Sequence, residues 1–401
     1  MKRSSFLSPN GDSGGQTLVN SQSKQVKTDG RRLEPNQKAE RCTLSSDRSI
    51  RSSSQQRVES LDWLRGLMAL SIMVYHLCGW YFYQPDSSDF LGRMGIYGVS
   101  VFFILSGLSM AIVYHRFIDS IQSVVAFFIR RFFRILPLLW LAIIGTLVIN
   151  LLKNSPMPDT GFLLLNATGL FGFVPPFNYI AVGSWSIGCE MVFYALTPLL
   201  LIAFNYRRWV GNLVTVVSIA VGLYFGYYLL HNTELLSKQW NAYIHPFNNL
   251  FLYVIGIAIY YNLKEVALSS KVVLALLAIA LWGLFFYPVD GNQIEIVTGG
   301  NRVVFTILST FLVIGFYKFN LSLPHWIAYP LEKLGLVTYG VYILHPIIKV
   351  FVSKVLVSLG VSNGYLIAFL VVVASISAAF ASYYWVELHL MRIGKRLTAR
   401  K

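Results

Sequence analysis

The hydrophobic positions gather into ten long apolar stretches, near residues 61–83, 94–114, 135–152, 188–204, 210–230, 247–262, 271–287, 302–319, 335–357 and 362–385. These runs are too long, and too uniformly apolar, for half-buried strands that alternate in polarity. A bilayer core is crossed by a helix of about 20 apolar residues. The pattern therefore predicts an all-α, polytopic membrane protein of about ten transmembrane helices. Residues 161–183 are also apolar but are broken by Gly and Pro, which predicts a re-entrant or interfacial segment on the outer face. Residues 1–58 are polar and Ser-rich with no apolar run. Such a segment cannot bury enough surface to offset its ordering entropy, and a disordered tail is expected there.

Charge turns this list of helices into a topology. In residues 1–57, Lys and Arg outnumber Asp and Glu eleven to five, which should hold the N-terminus in the cytoplasm. Ten spans then return the C-terminus to the same side. The loops expected inside carry Arg116, Arg130, Arg131, Arg134, Arg207, Arg208, Lys264, Lys271, Lys318 and Lys333, and residues 391–401 form a second basic cytoplasmic tail. The loops expected outside hold only Arg93, Lys153, Lys238 and Arg302. Lys349 and Lys354 do not fit, because they fall in the outer half of the ninth helix; they must face a cavity or snorkel.

Composition agrees. The 401 residues are 55% hydrophobic and only 13% charged, with a mean hydropathy of +0.57. The net charge of +15 suggests nucleic acid, but the basic residues flank apolar helices instead of lining one soluble face, so nucleic acid is rejected as a partner. Cys42, Cys78 and Cys189 are scattered without a CxxC pair, and they predict neither a metal site nor a disulfide framework.

Ionisable residues at membrane depth are costly, and each is a functional candidate. Arg65 and His76 lie eleven residues apart in the first helix. At about 100° and 1.5 Å per residue they share one face, separated by roughly 16 Å. Arg65 has a plainer reading as a snorkelling anchor, and His76 as a neutral histidine bonded to a neighbouring helix. An imidazole is also the usual general base near neutral pH. Gly95, Gly98, Ser106 and Gly107 in the second helix let a helix or ligand approach closely. FFIRRFFRILP places Arg130, Arg131 and Arg134 just before the third span. Arg131 and Arg134 share a helix face, as topology signals or as a bidentate phosphate clamp. In SWSIGCEMVFYAL, Ser186, Glu190 and Tyr194 form one stripe. In TYGVYILHPIIK, Thr338, Tyr342, His345 and Lys349 form another, with a kink expected at Pro346.

Together these segments resemble the acyltransferase-3 family of integral membrane O-acyltransferases, over roughly residues 58–390. The resemblance is carried by Arg65 and His76 in LDWLRG…H, by GVSVFFILSGL at 98–108, by RFFR at 131–134, by SWSIGCEMVFY at 184–194 and by YGVYILHPII near the end. Leu108 follows the Ser-Gly pair where Phe is commoner. The resemblance implies an acyltransferase domain over residues 59–390 in the inner, or plasma, membrane. It implies an acetyl-CoA-dependent O-acetyltransferase that binds no resident cofactor, takes acyl-CoA as co-substrate from the cytoplasm, and acylates a hydroxyl of a surface polysaccharide or lipid-linked glycan. Arg65, Arg131, Arg134 and Ser106 would then bind the donor. His76 would serve as base or nucleophile, Glu190 would orient it, and His345 or Tyr342 would steady the oxyanion. A transporter of an acyl donor or lipid-linked sugar is the rival, since it too needs buried charge near the midplane; no paired broken helices in two related halves are visible. A sensor that uses the basic tail is a further alternative.

Overall fold

The computed structural model describes residues 58–319 and 323–399. Residues 1–57 of the tail expected over residues 1–58 lie outside them. The described residues contain no strand. The principal helices are α1 (Glu59–Tyr81), α2 (Phe90–Tyr114), α3 (Ile121–Leu152), α4 (Thr160–Ala167), α5 (Trp185–Tyr206), α6 (Arg208–Tyr224), α7 (Pro246–Leu263), α8 (Ser270–Phe286), α9 (Gly299–Tyr317), α10 (His325–Leu336), α11 (Thr338–Ser358), α12 (Gly364–Ser382) and α13 (Leu388–Leu397).

Nine of the ten apolar stretches each fall mainly on one of these helices, and residues 335–357 cover the end of α10 and most of α11, which part at Val337. Among the described residues, seven helices are long and apolar enough to cross a membrane, or eight if the bent pair Leu236–Tyr243 and Pro246–Leu263, at 63°, is one span. α8, at 17 residues, is shorter, and α1 interrupts its apolar run with Arg65 and His76. Large apolar side chains such as Leu213, Val216, Ile279, Trp282 and Phe369 point outward, as the surface of a helix bundle in lipid requires.

One boundary differs from the sequence pattern in a way that bears on the site. α3 begins at Ile121 and runs for 32 residues, so Arg130, Arg131 and Arg134 lie inside the helix and not before it. Ser120 and Ser123 form a capping box that starts the helix at this point. At about 1.5 Å per residue such a helix exceeds a roughly 30 Å core, so its first turns project beyond the apolar zone. The apolar run marks the membrane, while the cap marks the helix.

α2 is central. It packs against α1 on one side and α7 on the other. A Cβ at Gly107 would fall on the Tyr253 carbonyl, and one at Gly256 on the Ile104 carbonyl. The two helices approach so closely only because both positions are glycine. α1 lies between two cores. Met68 and Ile72 belong to the large core built on α2, whereas Ala69, Met73 and Leu77 belong to a smaller one shared with α11 and α12. Residues 68, 72 and 76 follow one stripe and 69, 73 and 77 the next. His76 therefore emerges at the seam between the cores. Residues 161–183 become α4, a short 3₁₀ turn at Leu170–Phe173 and a loop. Leu164, Leu170, Phe173 and Val174 are exposed.

Candidate active site

The first cluster is aromatic. The His76 ring stacks on Trp80, one turn further along α1, at 5.4 Å, and faces His345 of α11 at 5.3 Å. Trp80 also meets His345, at 5.9 Å. α11 runs unbroken through Pro346 and delivers His345 to this point. Nδ1 of His345 lies 3.0 Å from the Val341 carbonyl. A carbonyl only accepts, so Nδ1 carries the proton and Nε2 presents its lone pair. That Nε2 is buried and has no hydrogen-bond partner among the described residues. Lys349, one turn beyond, places Nζ 5.1 Å from the Trp80 ring centre and 5.6 Å from that of Tyr81. The cation that the hydropathy pattern could not accommodate lies over aromatic faces; Lys354 is exposed.

Tyr342 joins this cluster to the start of α5. Its hydroxyl donates to the Gly183 carbonyl at 2.9 Å and accepts from the Ser186 hydroxyl at 3.0 Å. Gly183 has φ +84°, a left-handed conformation that glycine adopts without strain, and this turn aims its carbonyl at Tyr342.

The second cluster is ionic. Arg131 donates to the Tyr114 hydroxyl at 3.0 Å and lies over the rings of Tyr114 and Tyr194. The Ser106 and Tyr194 hydroxyls are 3.3 Å apart. Glu190, one turn before Tyr194, interacts with both hydroxyls, and Arg131 and Arg134 are its charged neighbours. Arg134 reaches Glu387 at 3.5 Å. Glu387 closes a π-turn at Tyr383–Glu387, is 1% exposed, and leaves its Oε1 without a partner among the described residues. Arg65 stands apart from both clusters. It pairs with Asp62 at 2.7 Å and donates to Ser109, bracing α1 against α2.

The structure thus brings together His76 and His345, and separately Ser106, Glu190, Arg131 and Arg134. A cavity of about 510 Å³ at the N-terminal end of α3 is lined by Arg116, Phe117, Ser123, Arg130 and Thr398, and by none of the site residues that the family resemblance implied. Sequence reasoning missed Trp80 and Glu387. Trp80 reads as one more apolar residue, although it lies four residues from His76. Glu387 falls just past the last apolar stretch, where an acid is unremarked. It also counted Arg93 and Arg302 as loop charges, yet they are 2% and 5% exposed. Arg93 donates to the carbonyls of Ser87, Leu284 and Tyr287, and Arg302 to Val297 and Asn248. Both knit loops to helix ends.

Comparison with known proteins bears on what such a bundle does. A family profile described as an acyltransferase domain, that of the acyltransferase-3 family, matches residues 58–384. The chain is similar to the peptidoglycan O-acetyltransferase OatA of Listeria monocytogenes, at 28% identity over 42% of this chain and 28% of that protein. It is similar to the putative membrane-bound transacylase BcsY of Komagataeibacter xylinus, at 25% identity over 73% of this chain and 72% of BcsY. It is also similar to the O-acetyltransferase OatA of Staphylococcus aureus, at 25% identity over 75% of this chain and 52% of that protein. The match thus covers about half of the staphylococcal protein and less of the listerial one. No solved structure matches the chain.

Proposed function

This chain belongs to the acyltransferase-3 family and is a multi-pass membrane protein, and from that premise we propose that it is an O-acyltransferase of the plasma membrane. The donor is acyl-CoA, most simply acetyl-CoA, taken from the cytoplasm. The acceptor is a hydroxyl of a surface or lipid-linked polysaccharide. Ten spans with both termini inside accommodate this arrangement, and the loop charge asymmetry supports it.

The observation that carries the reading is the facing pair His76 and His345 within the bundle, with Nε2 of His345 buried and unpartnered. An unsatisfied buried acceptor costs about 1–3 kcal/mol, and a reacting hydroxyl would satisfy it. In the proposed reaction His76 takes the proton of the sugar hydroxyl as its oxygen attacks the thioester carbonyl. The C–S bond then breaks, the acyl group stays on the sugar oxygen, and the thiolate leaves with the proton. His345 accepts from His76 or from the hydroxyl through Nε2. With its only neutral-state proton committed to Val341, His345 suits this role better than that of oxyanion donor. Tyr342 likewise spends its proton on Gly183 and serves to position the α5 turn. The imidazolium formed on proton transfer supplies the donor to the developing oxyanion.

At the inner side, Arg131 and Arg134 attract the donor's phosphates, with Glu190 and the Ser106 hydroxyl setting their orientation. Arg65 enters this reading as a brace that holds α1, and hence His76, in register with α2. The test is acyl transfer by purified full-length protein from labelled acetyl-CoA, paired with mass spectrometry of surface glycans from cells with and without the gene. A glycan mass difference of one acyl group is expected; identical glycans together with no transfer in vitro would sink the reading.

A further inference from the structure

Lys349 has no role in the reaction just described, yet it is held firmly beside the reacting pair. Its Nζ lies over the Trp80 ring, the same ring that contacts His76 and His345. Tyr81, the other ring beneath it, is tied by its hydroxyl to Ser353 at 2.5 Å, and Ser353 donates to the Lys349 carbonyl at 2.6 Å. The ammonium of α11 thus lies over two rings of α1, one of them tied back to α11, one turn beyond His345.

A cation in an apolar helix is costly unless it is neutralised. Among the described residues no carboxylate lies within ion-pair distance of Lys349; the ion pairs are Arg65–Asp62, Arg134–Glu387 and Lys264–Glu265. Lys153, at the end of α3, is its charged neighbour and adds to the positive field. Ring faces relieve part of the cost, worth roughly 0.5–2 kcal/mol, but they leave the charge uncompensated. Lys349 is half-buried, and a cation without a carboxylate partner attracts an anion.

We propose that Lys349, held over Trp80 beside His76 and His345, binds an anionic group, a carboxylate or a phosphate, on the sugar that presents the acylated hydroxyl. Describing that ligand as the acceptor rests on the acyltransferase reading above. The subsite would select charged glycans over neutral ones and would place their hydroxyl at the histidine pair.

The experiment measures binding without a donor. Full-length protein in nanodiscs is titrated calorimetrically with three probes: neutral chitotetraose, chitotetraose bearing one 6-phosphate, and a tetrasaccharide of alternating glucuronic acid and N-acetylglucosamine. Wild type should bind one of the two anionic probes about tenfold more tightly than the neutral one, the scale of one charge-assisted contact. The tighter of the two identifies carboxylate or phosphate as the recognised group. Lys349→Met keeps the apolar stem and should abolish the preference, while Lys349→Arg should retain it. Equal binding of all three probes by wild type, or a preference that survives in Lys349→Met, overturns the proposal. Loss of acyl transfer with this preference intact would instead count against the enzymatic reading alone.

Discussion

Arg302 and His345 are almost equally enclosed, at 5% and 2% exposure, yet the protein treats their polar atoms in opposite ways. Arg302 donates to the Val297 carbonyl and to both the carbonyl and the side-chain oxygen of Asn248, and it lies over Phe251. His345 satisfies one nitrogen on its own helix and leaves the other without a partner among the described residues. Buried polar groups are nearly always paired. The Arg302 guanidinium, with three hydrogen bonds to Val297 and Asn248, is a structural tie, whereas the unpartnered imidazole nitrogen is the atom that the proposed reaction uses. Burial does not distinguish the two; hydrogen-bond accounting does.

Substitutions can break this comparison, and the largest effect is expected at the histidine pair. His76→Ala should lower acyl transfer by about 10³-fold, within the usual range for a general base, with insertion and melting temperature unchanged. Full activity in a normally inserted variant would remove His76 from the chemistry. His345→Ala should cost about 10²-fold in kcat per folded molecule, beyond the stability lost with its buried ring and its Nδ1 bond to Val341. A large fall in melting temperature with kcat intact would make His345 structural.

Arg302→Leu should do the reverse. It orphans Asn248 and should cost about 2–3 kcal/mol of stability, read as a lower melting temperature in detergent, with activity per folded molecule preserved. Loss of activity at normal stability would erase the distinction between the two residues.

Two smaller effects sharpen the picture. Arg131→Ala should raise the KM for acyl-CoA about tenfold, the worth of one charge-assisted hydrogen bond, and leave the acceptor KM alone. An unchanged donor KM would return Arg131 to topology. Tyr342→Phe removes two neutral hydrogen bonds, one to the Gly183 carbonyl and one from the Ser186 hydroxyl, each worth about 1 kcal/mol, and should lower kcat about fivefold without altering either KM. A variant as fast as wild type would show that the α5 turn holds without it.

Much of the candidate site was legible because membrane residues are conspicuous when polar. His76, Glu190 and His345 stand out against apolar neighbours, and the arginine run in α3 is visible by eye. What escaped notice is what a bilayer makes inconspicuous. Trp80 is apolar enough to pass for packing, and its importance lies in touching two histidines 269 residues apart. Glu387 sits beyond the last apolar run, and its partner Arg134 is 253 residues earlier. Arg93 and Arg302 looked like the few positive charges an outer loop tolerates; beside local partners they reach Leu284 and Tyr287, and Asn248, on segments distant in the sequence. The face shared by Arg65 and His76 was correct as helix geometry, but α2 claims the first residue and α11 the second.

Hydropathy alone determined that this chain is a bundle of membrane helices, because lipid demands that every spanning segment satisfy its own backbone and show apolar side chains outward. It likewise determined which residues were out of place there. Only the tertiary structure decided which of those residues meet, which are spent on one another and which are left wanting a partner. Those outcomes depend on how helices distant in sequence cross, here on Gly107 and Gly256 letting α2 and α7 close together and on α1 lying between two cores. No one-dimensional pattern encodes that contact.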